Sequence, residues 1–395
     1  MRAKLLLTSL VALAALGLPA TAGAHWRVRP HRSVCTDATG AGVAHCQADV
    51  VTDGKGTPAT AVAPSGYGPA QFHSAYGLPA TAASRQTIAI VDAYDDPTIA
   101  SDLNVYSAQF GLPQCTSANP CFQKVNQYGQ ARSYPRANSG WSLEIALDVE
   151  VAHGICPNCK VLLVEASSAS LTNLEAAVNE AAKLGATEIS NSYGCGEWSG
   201  ETSDTAYKHP GVAVTVAAGD NGYGSFGFPA ASPYVVAVGG TSLTLDASGN
   251  WAGETAWADG GSGCSSYLTA QAWQTSLANW SASGCGTKRG VADVAADADP
   301  STGAAVYDTT RYNGQAGWFQ VGGTSLSSPL VAGIYALAGN AASTSYPASL
   351  AYGHSAALHD VSAGSTGSCT TLMCLAGVGY DGPTGLGSPN GLGAF

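Results

Sequence analysis

Apolar runs of strand length alternate with helical patterns through the middle of this chain, and this alternation constrains the fold more than any other feature. Strands that alternate with helices predict parallel β–α–β units, and hence an α/β fold with a layered, mostly parallel sheet. Chemistry in such folds lies at the carboxyl ends of the strands, where this chain has Asp92, the segment 191–194 and Asp220. The strand-length runs are 87–91, 161–165, 188–190, 212–217 and 234–238, and the helical patterns are 141–153 and 171–184.

Length and composition fit one large compact domain that follows an export signal. Of the 395 residues, 45% are hydrophobic and 11% are charged. Residues 1–24 have the pattern of a secretory signal peptide, with Arg2 and Lys4 before the apolar run 5–18 and an A-x-A cleavage site at 22–24. That run is too short to cross a bilayer, and no later run reaches the roughly eighteen apolar residues required. We therefore expect a secreted, extracellular protein with no membrane partner.

The charge balance argues against a polyanionic partner. The formal net charge is -11, and removal of the signal leaves 14 basic against 27 acidic residues. Nucleic acid is therefore not an expected partner. So few charges on a large chain predict an uncharged polar surface, which repels itself little when carboxylates are protonated. This composition favours an acidic working environment.

Eleven cysteines follow the signal, which is typical of an oxidising compartment. Their short spacings indicate local disulfides, although sequence alone does not fix connectivity, and Cys195 is left over. For Cys156 and Cys159 a redox pair, or a zinc site with His153, is the less favoured alternative. The predicted pairs are Cys35–Cys46, Cys115–Cys121, Cys156–Cys159, Cys264–Cys285 and Cys369–Cys374.

A candidate nucleophile, Ser325, lies in the stretch GGTSLSSPLVAG at 322–333, where a glycine turn meets an apolar helix. A serine hydroxyl attacks only after a neighbouring base takes its proton. His153 is the one histidine on a plausible core helix, but its position near the C-terminus of that helix favours a packing role. Taken alone, Ser325 is equally consistent with a helix N-cap.

Two carboxyls on the helix at 141–153 offer a better base. Glu144 and Asp148 are four residues apart and share one face. Like charges at this spacing disfavour an isolated helix by only about 0.2–0.5 kcal/mol, so a solvated face would tolerate them. A desolvated pair would instead share one proton and leave one carboxylate as a base under acidic conditions.

Asp220 follows a buried strand in the run VAVTVAAGDNG. An aspartate donates a hydrogen bond to a developing oxyanion only when it is protonated, which again favours low pH. The alternative for Asp220 is an ordinary turn residue.

Together these motifs resemble the sedolisin family of serine-carboxyl peptidases, which are relatives of the subtilisins. The resemblance rests on the order and spacing of ExxxD at 144–148, GDxG at 219–222 and GTSxxxP at 323–329, within an expected peptidase domain at 66–395. It implies a three-layer, subtilisin-like α/β fold with a central, mostly parallel sheet flanked by helices. It also implies an acid-active endopeptidase that cuts protein or peptide substrates through an acyl-enzyme. By this resemblance, Ser325 is the nucleophile, Glu144 its general base, Asp148 the carboxyl that supports Glu144, and Asp220 the oxyanion donor.

The resemblance further implies one calcium ion near the C-terminus. The segments HDVSAG and GVGYDGPTGLGSPNG are similar to the calcium loop of the family. Calcium takes about six to eight oxygen ligands, which glycine turns supply without crowding. A glycine-rich surface turn with two solvated aspartates is the alternative. The implied ligands are the carboxylates of Asp360 and Asp381 and the backbone carbonyls of Val361, Gly377 and Gly379.

The segment 25–65 lacks periodic apolar runs and is rich in Gly, Ala, Thr and Pro, so we expect a short leader, propeptide or linker there. Sedolisins usually carry a long folded propeptide, and this departure leaves the route of activation open. The family resemblance also suggests that 190–194 and a turn at Gly239-Gly240 border the substrate cleft, where an extended peptide would pair through its backbone.

Two other functions stay open on the sequence alone. One is a conventional subtilisin-type triad of Asp92, His153 and Ser325, which has the right order but lacks the usual glycine and second histidine around its histidine. The other is an inactive secreted domain that binds peptides or holds calcium for a structural purpose, although all four catalytic positions are filled. We expect a monomer.

Overall fold

The computed structural model describes residues 28–35 and 42–395, and the expected signal peptide lies outside the described residues. No described helix is long and apolar enough to cross a membrane. The helices are α1 (Pro69–Ala75), α2 (Ile99–Phe110), α3 (Ser139–Ile155), α4 (Leu171–Lys183), α5 (Ala272–Thr275), α6 (Thr324–Ala338) and α7 (Ala348–Gly353). The strands are β1 (His31–Ser33), β2 (His45–Cys46), β3 (Asp49–Val51), β4 (Thr60–Ala61), β5 (Thr87–Ala93), β6 (Phe122–Asn126), β7 (Lys160–Ala166), β8 (Glu188–Asn191), β9 (Tyr193–Gly194), β10 (Ala213–Ala217), β11 (Val236–Leu245), β12 (Trp251–Ala256), β13 (Gly263–Thr269), β14 (Lys288–Val291), β15 (Val294–Asp297), β16 (Ala304–Tyr312), β17 (Gln315–Gly322), β18 (Leu358–His359) and β19 (Ser388–Pro389).

A mostly parallel sheet forms the centre of the molecule. Its strand order is β12-β11-β10-β8-β5-β7-β6, and β15 also pairs with β11. Every pair in it is parallel except β11–β12. Strand β5 lies between β7 and β8 and is buried from its second residue onward, as its apolar run predicts. The sheet therefore confirms the predicted α/β class. Gly239 and Gly240 lie inside β11, so the expected turn at this point is wrong.

Helices α3 and α6 carry Glu144, Asp148 and Ser325 and are almost completely buried. The side chain of Asn138 caps α3 by accepting from the N–H groups of Gly140 and Trp141, and every residue of α3 after Ser139 is buried. Helix α3 packs against α6, against β5 of the central sheet and against β16 of a second sheet. A helix enclosed on all sides has no solvated face. The solvated-face alternative for Glu144 and Asp148 is therefore wrong.

The second sheet is antiparallel and includes the N-terminal part of the chain. Its order is β1-β3-β17-β16, with β4 also paired to β17. In the described part of 25–65, which we expected to be a leader or linker, the strands β1 to β4 are only two or three residues long. Val50 is fully buried and lies opposite Val321 of β17. This segment thus packs as part of the folded body.

All five predicted disulfides are confirmed, and Cys195 is a buried free thiol. Because Cys156 and Cys159 are bonded to each other, neither offers a thiolate, and the zinc alternative is wrong. One other group of potential metal-binding side chains in the described residues joins His153 to Cys115 and Cys121. Those two sulfurs are also bonded to each other, so this group does not form a metal site either.

Candidate active site

Helix α6 carries Ser325 in its first turn, directly after β17. The backbone before it turns through Gly323, whose φ of +97° favours glycine. Glycine is also required for space, because a Cβ there would clash with the carbonyl oxygen of Gln47 and with Oδ2 of Asp220. Gly323 itself is the N-cap, so the N-cap alternative for Ser325 is wrong. Ser325 is fully buried, and its hydroxyl donates to the carbonyl oxygen of Ser192 at 3.3 Å.

The two carboxyls of α3 form a buried acidic cluster with Asp92, which lies near the C-terminal end of β5. All three residues are fully buried. Burial raises the pKa of Glu144 well above its usual range, and Asp148 and Asp92 raise it further by charge repulsion. Burial also raises the pKa of Asp148, again with repulsion from Asp92, and raises the pKa of Asp92 to about 8. Like charges in so small a volume do not all ionise together, so the cluster titrates as one unit.

Ser325 lies beside this cluster. Its hydroxyl offsets a part of the rise in the pKa of Glu144, and the hydroxyl of Ser192 offsets a part of the rise in the pKa of Asp148. Neither contact meets hydrogen-bond geometry, and the carboxylate oxygens of both acids have no hydrogen-bond partner among the described residues. The Ser325 hydroxyl is therefore close enough to Glu144 to influence its ionisation, while its hydrogen bond goes to Ser192. The hydroxyl must therefore leave its hydrogen bond to Ser192 before Glu144 accepts its proton.

Asp220 lies in the glycine-flanked turn that follows β10. Its Oδ1 accepts from the backbone N–H and the hydroxyl of Thr324 at 2.8 and 2.7 Å. Although part of the residue reaches solvent, its Oδ2 is buried and has no hydrogen-bond partner among the described residues. Burial raises the pKa of Asp220 well above its usual range, and the nearby Asp49 raises it further. Two bonds to Thr324 thus fix the carboxyl, and a proton on it would lie on Oδ2.

The carbonyl oxygen of Gln47 lies beside Gly323, close to Ser325 and Asp220. It accepts from the backbone N–H of Ser325 at 2.9 Å. Because a Cβ on Gly323 would clash with this oxygen and with Asp220 Oδ2, both oxygens lie against the same glycine. An N–H donor and a protonated carboxyl around one carbonyl oxygen are the arrangement that stabilises an oxyanion during acyl transfer.

His153 does not join this site. Its Nε2 contacts the carbonyl oxygen of Pro113 at 2.9 Å, and burial lowers its pKa. It lies more than two turns after Glu144 on α3, which is about 13 Å along the helix axis. Asp92, its partner in the alternative triad, belongs to the acidic cluster instead. The structure therefore does not assemble an Asp92, His153 and Ser325 triad.

The five residues expected to bind calcium lie together near the C-terminus. The Gly377 N–H donates to Oδ2 of Asp381 at 2.8 Å, and the Gly379 N–H donates to Oδ2 of Asp360 at 3.0 Å. The hydroxyl of Thr384 bonds both Oδ1 of Asp381 and the Val361 carbonyl, at 2.9 and 3.2 Å. Burial raises the pKa of Asp381 to about 7, and the charge of Asp360 contributes to this rise. Asp381 is fully buried, so the alternative of two solvated aspartates is wrong for this residue.

Sequence reasoning missed Gln47 and Asp49 in this region, and it marked Ser192 only as part of the segment 191–194 without giving it a role. Ser192 provides the carbonyl oxygen that holds the Ser325 hydroxyl, and Gln47 and Asp49 bring the N-terminal segment against Asp220. The position of Ser192 after a predicted strand is a usable signal. Gln47 and Asp49 lie in a segment without periodicity, and no local pattern marks them.

Comparisons with known proteins agree with this geometry. The sequence model of the subtilase family matches residues 133–358. The chain is 32% identical to kumamolisin of Bacillus sp. (strain MN-32), over 84% of this chain and 63% of that protein. It is 30% identical to xanthomonalisin of Xanthomonas sp. (strain T-22), over 84% and 46%. It is 27% identical to sedolisin of Pseudomonas sp. (strain 101), over 82% and 60%. The chain thus spans between 46% and 63% of the length of these relatives.

Solved structures give the same result. Pseudomonas sedolisin, a serine-carboxyl proteinase complexed with two molecules of pseudo-iodotyrostatin, matches with a TM-score of 0.68 and 27% identity, over 83% of this chain and 96% of that one. Sphericase matches with a TM-score of 0.52 at 17% identity, which supports the fold alone. The three-layer, subtilisin-like fold is therefore confirmed. The chain belongs to the subtilase family and, within it, to the sedolisin family of serine-carboxyl peptidases.

Proposed function

We infer that this chain is a secreted, acid-active endopeptidase that hydrolyses peptide bonds in proteins or peptides through an acyl-enzyme on Ser325. One observation carries this inference. The Ser325 N–H donates to the carbonyl oxygen of Gln47, Asp220 Oδ2 lies against the same glycine as that oxygen, and the Ser325 hydroxyl lies beside the buried carboxyl of Glu144. Nucleophile, base and oxyanion donors are thus gathered around one carbonyl group.

Glu144 acts as the general base. It takes the proton of Ser325 as the hydroxyl attacks the substrate carbonyl, and returns it to the leaving amine. Asp148, one turn further along α3, supports Glu144 because the two carboxyls repel each other when both are ionised, so the pair shares one proton. Asp92 adds to this repulsion from β5. The base therefore works inside a group of acids where most serine hydrolases use an imidazole.

Asp220 stabilises the oxyanion only while it is protonated. Burial and the neighbouring Asp49 raise its pKa, so it keeps its proton to a higher pH than a solvated aspartate. As the pH rises through the pKa of Asp220, the donor on Oδ2 is lost and activity falls. The enzyme is therefore active at acid pH, where Asp220 keeps its proton.

Calcium is the metal that suits the C-terminal cluster. Asp360 and Asp381 provide carboxylates, and Val361, Gly377 and Gly379 provide backbone carbonyls, which together form a set of hard oxygen donors. Burial and the charge of Asp360 both disfavour a negative charge on Asp381, and a bound cation would compensate that charge. The ion would supply charge neutralisation that stabilises the fold, and these residues take no part in peptide hydrolysis.

Secretion and an acidic extracellular location agree with five disulfides and few charges. The expected partners are protein or peptide substrates, with neither nucleic acid nor a membrane, and the expected state is a monomer.

Digestion of an acid-denatured protein tests the proposed function. Wild type, Ser325→Ala and a matched control, Ser328→Ala, are first incubated at pH 4 and then assayed between pH 3 and pH 8. Ser328 lies on the same buried helix, and its hydroxyl bonds Thr215 and Ser190 outside the site. Wild type and the control should digest the substrate at acid pH, while Ser325→Ala should not. Equal inactivity of wild type and Ser325→Ala would favour an inactive peptide-binding domain.

A further inference from the structure

A strand from the N-terminal part of the chain lies in the cleft beside Ser325. On one side, β2 pairs antiparallel with β9, with His45 opposite Gly194 and Cys46 opposite Tyr193. On the other side, the Ala44 N–H donates to the Ala169 carbonyl at 2.8 Å. The segment 44–48 thus lies between β9 and the loop at 169–170 and bonds both through its backbone, which is how an extended peptide binds by strand addition.

The last part of this strand ends at the nucleophile. The Gln47 N–H donates to the Ser192 carbonyl at 3.1 Å, and the Gln47 carbonyl oxygen accepts from the Ser325 N–H at 2.9 Å. Asp220 Oδ2 lies against the same glycine as that carbonyl oxygen, and the Cα of Ala48 lies there too. The bond between Gln47 and Ala48 therefore has its carbonyl group where the oxyanion of a substrate would form.

Most side chains of this segment are also buried. Ala44 and Cys46 are fully buried, and Gln47 is 5% exposed. Gln47 and His45 line a cavity of about 210 Å³, whose other walls are the small or uncharged residues of 194–196, 217–218, 225–227 and Ala230. An uncharged side chain such as that of glutamine suits this cavity, because no Asp, Glu, Lys or Arg lines it. The segment therefore makes the backbone and side-chain contacts that an extended substrate would make.

We propose that the Gln47–Ala48 peptide bond is a processing site that the chain cuts with its own Ser325. This inference rests on the proposed function. It assigns a first substrate to the same active site, namely the strand 44–48 of the chain itself.

The reaction balances with water as the only co-reactant. Ser325 Oγ bonds the Gln47 carbonyl carbon while Glu144 takes the hydroxyl proton. The carbon–nitrogen bond to Ala48 then breaks, and Glu144 gives the proton to the leaving nitrogen, which becomes the amino terminus of Ala48. Water hydrolyses the ester, leaving a carboxyl-terminal Gln47 and a free Ser325.

The leader stays bound after the cut. Cys35 and Cys46 both precede the cut bond, so their disulfide keeps the leader in one piece without linking it to the remainder. Strand β1, before the cut, pairs with β3, after it, and the Val34 N–H donates to the Ala48 carbonyl at 2.8 Å. These bonds hold the two new ends together, so the cut leader should continue to block the cleft until it dissociates.

Mass spectrometry of the whole chain tests the processing site. Wild type, Ser325→Ala and Ser328→Ala are purified under oxidising conditions and sampled over time at pH 4, without reductant. We expect wild type and Ser328→Ala to yield a chain that begins at Ala48 and a separate leader that ends at Gln47, at a rate independent of protein concentration. Ser325→Ala should stay intact.

Digestion of an added denatured protein, measured on the same samples, separates the possible failures. If wild type digests this protein while the bond stays intact or another bond is cut, the processing site is wrong and the proposed function stands. A full-length variant, Ala44→Arg, covers the case of an intact and inactive wild type, because an arginine at this buried position should displace the strand. If Ala44→Arg then digests the protein, the leader only inhibits and the proposed cleavage is wrong. If it does not, the proposed function itself has failed.

Discussion

The backbone N–H of Ser325 donates to the carbonyl oxygen of Gln47 at 2.9 Å, in a cleft where the substrate of a peptidase would bind. This hydrogen bond relates the proposed nucleophile to a peptide group of the same chain. It also marks the position that a substrate carbonyl would occupy, because Asp220 Oδ2 lies against the same glycine. This carbonyl group is therefore the reference point for tests of the catalytic roles proposed for Asp220, Glu144 and Asp148.

Replacement of Asp220 by asparagine should remove the dependence of the oxyanion donor on pH. Thr324 donates two hydrogen bonds to Oδ1, so the amide oxygen of the new side chain would stay there and its NH₂ group would take the place of Oδ2. The NH₂ group donates at any pH. We expect Asp220→Asn to keep part of its activity and to lose the fall of kcat/KM on the alkaline side of the wild-type profile.

Asp220→Ala is the control for this test, because it removes the donor altogether. Its kcat should fall by about 10²–10³-fold at the wild-type optimum, the usual effect of a lost oxyanion donor. An asparagine variant whose activity declines with pH as steeply as that of wild type would contradict the role of Asp220.

Replacement of Glu144 by glutamine should remove the base without changing its shape. We expect kcat to fall by about 10²–10⁴-fold, the usual contribution of a general base. His153→Ala is a suitable comparison, because His153 bonds Pro113 away from the site, and it should leave the pH profile unchanged. If His153→Ala abolishes activity while Glu144→Gln stays active, the base has been misassigned.

Replacement of Asp148 by asparagine should shift the pH profile. The charge of Asp148 raises the pKa of Glu144, so its removal should let Glu144 ionise at lower pH. We expect the acidic limb of kcat/KM to move to lower pH, with a smaller loss of kcat than in Glu144→Gln. An unchanged acidic limb would show that Asp148 does not tune the base.

The sequence predicted the central sheet and helix α3 because their signals are local. The helical pattern at 141–153 lies within α3, and the run at 87–91 lies within β5. Position on a shared helix face was enough to pair Glu144 with Asp148. Their desolvation was not predictable from that face, because it depends on β16, whose residues follow far along the chain.

The N-terminal strands were missed for a physical reason. Strands β1 to β4 are two or three residues long, which is too short for a period to be seen. Their stability comes from pairing with β9 and β17, which are distant in sequence. The contact between Gln47 and Ser325 follows from this pairing and from no pattern around either residue.

The free energy of unfolding should fall as the pH rises from about 4 to 9. Burial is the largest cause of the raised pKa of Glu188, to about 8, and of Asp308, to about 9. A carboxyl whose pKa is raised by folding binds more protons in the folded state, so its stabilisation is complete below the unfolded pKa near 4 and is lost as the pH rises through the folded value. Thermal unfolding at several pH values measures this.

Asp308→Asn provides the matched test of that explanation. The asparagine keeps the size of the side chain and does not ionise. At pH 8 it should be more stable than wild type by up to a few kcal/mol, since each pKa unit is worth about 1.4 kcal/mol. Around pH 4 the two should be nearly equal. A wild-type protein that becomes more stable between pH 4 and pH 8, with Asp308→Asn parallel to it, would contradict burial as the cause.

Removal of calcium should lower the thermal stability of wild type. A ligand at about 100 times its dissociation constant stabilises the folded state by about 2.7 kcal/mol, which a chelator would remove. Asp360→Asn should start from lower stability and respond little to the chelator, since it loses one of the two proposed carboxylates. Thermal unfolding with and without chelator measures both. A wild type that unfolds at the same temperature under both conditions would exclude calcium binding at Asp360 and Asp381.

Removal of the disulfide next to the processing site should shorten the time that the cut leader blocks the cleft. The bond between Cys35 and Cys46 restricts the strand that precedes the cut, and a restricted segment loses less conformational entropy when it binds. Without the bond, the leader should dissociate faster or be digested, and the lag before hydrolysis of a small chromogenic peptide should shorten. The double variant Cys35→Ser/Cys46→Ser tests this, with Cys369→Ser/Cys374→Ser as the control that loses a disulfide in another part of the chain. Equal lags in the first variant and wild type would mean that the paired strands β1 and β3, without the disulfide, hold the leader in place.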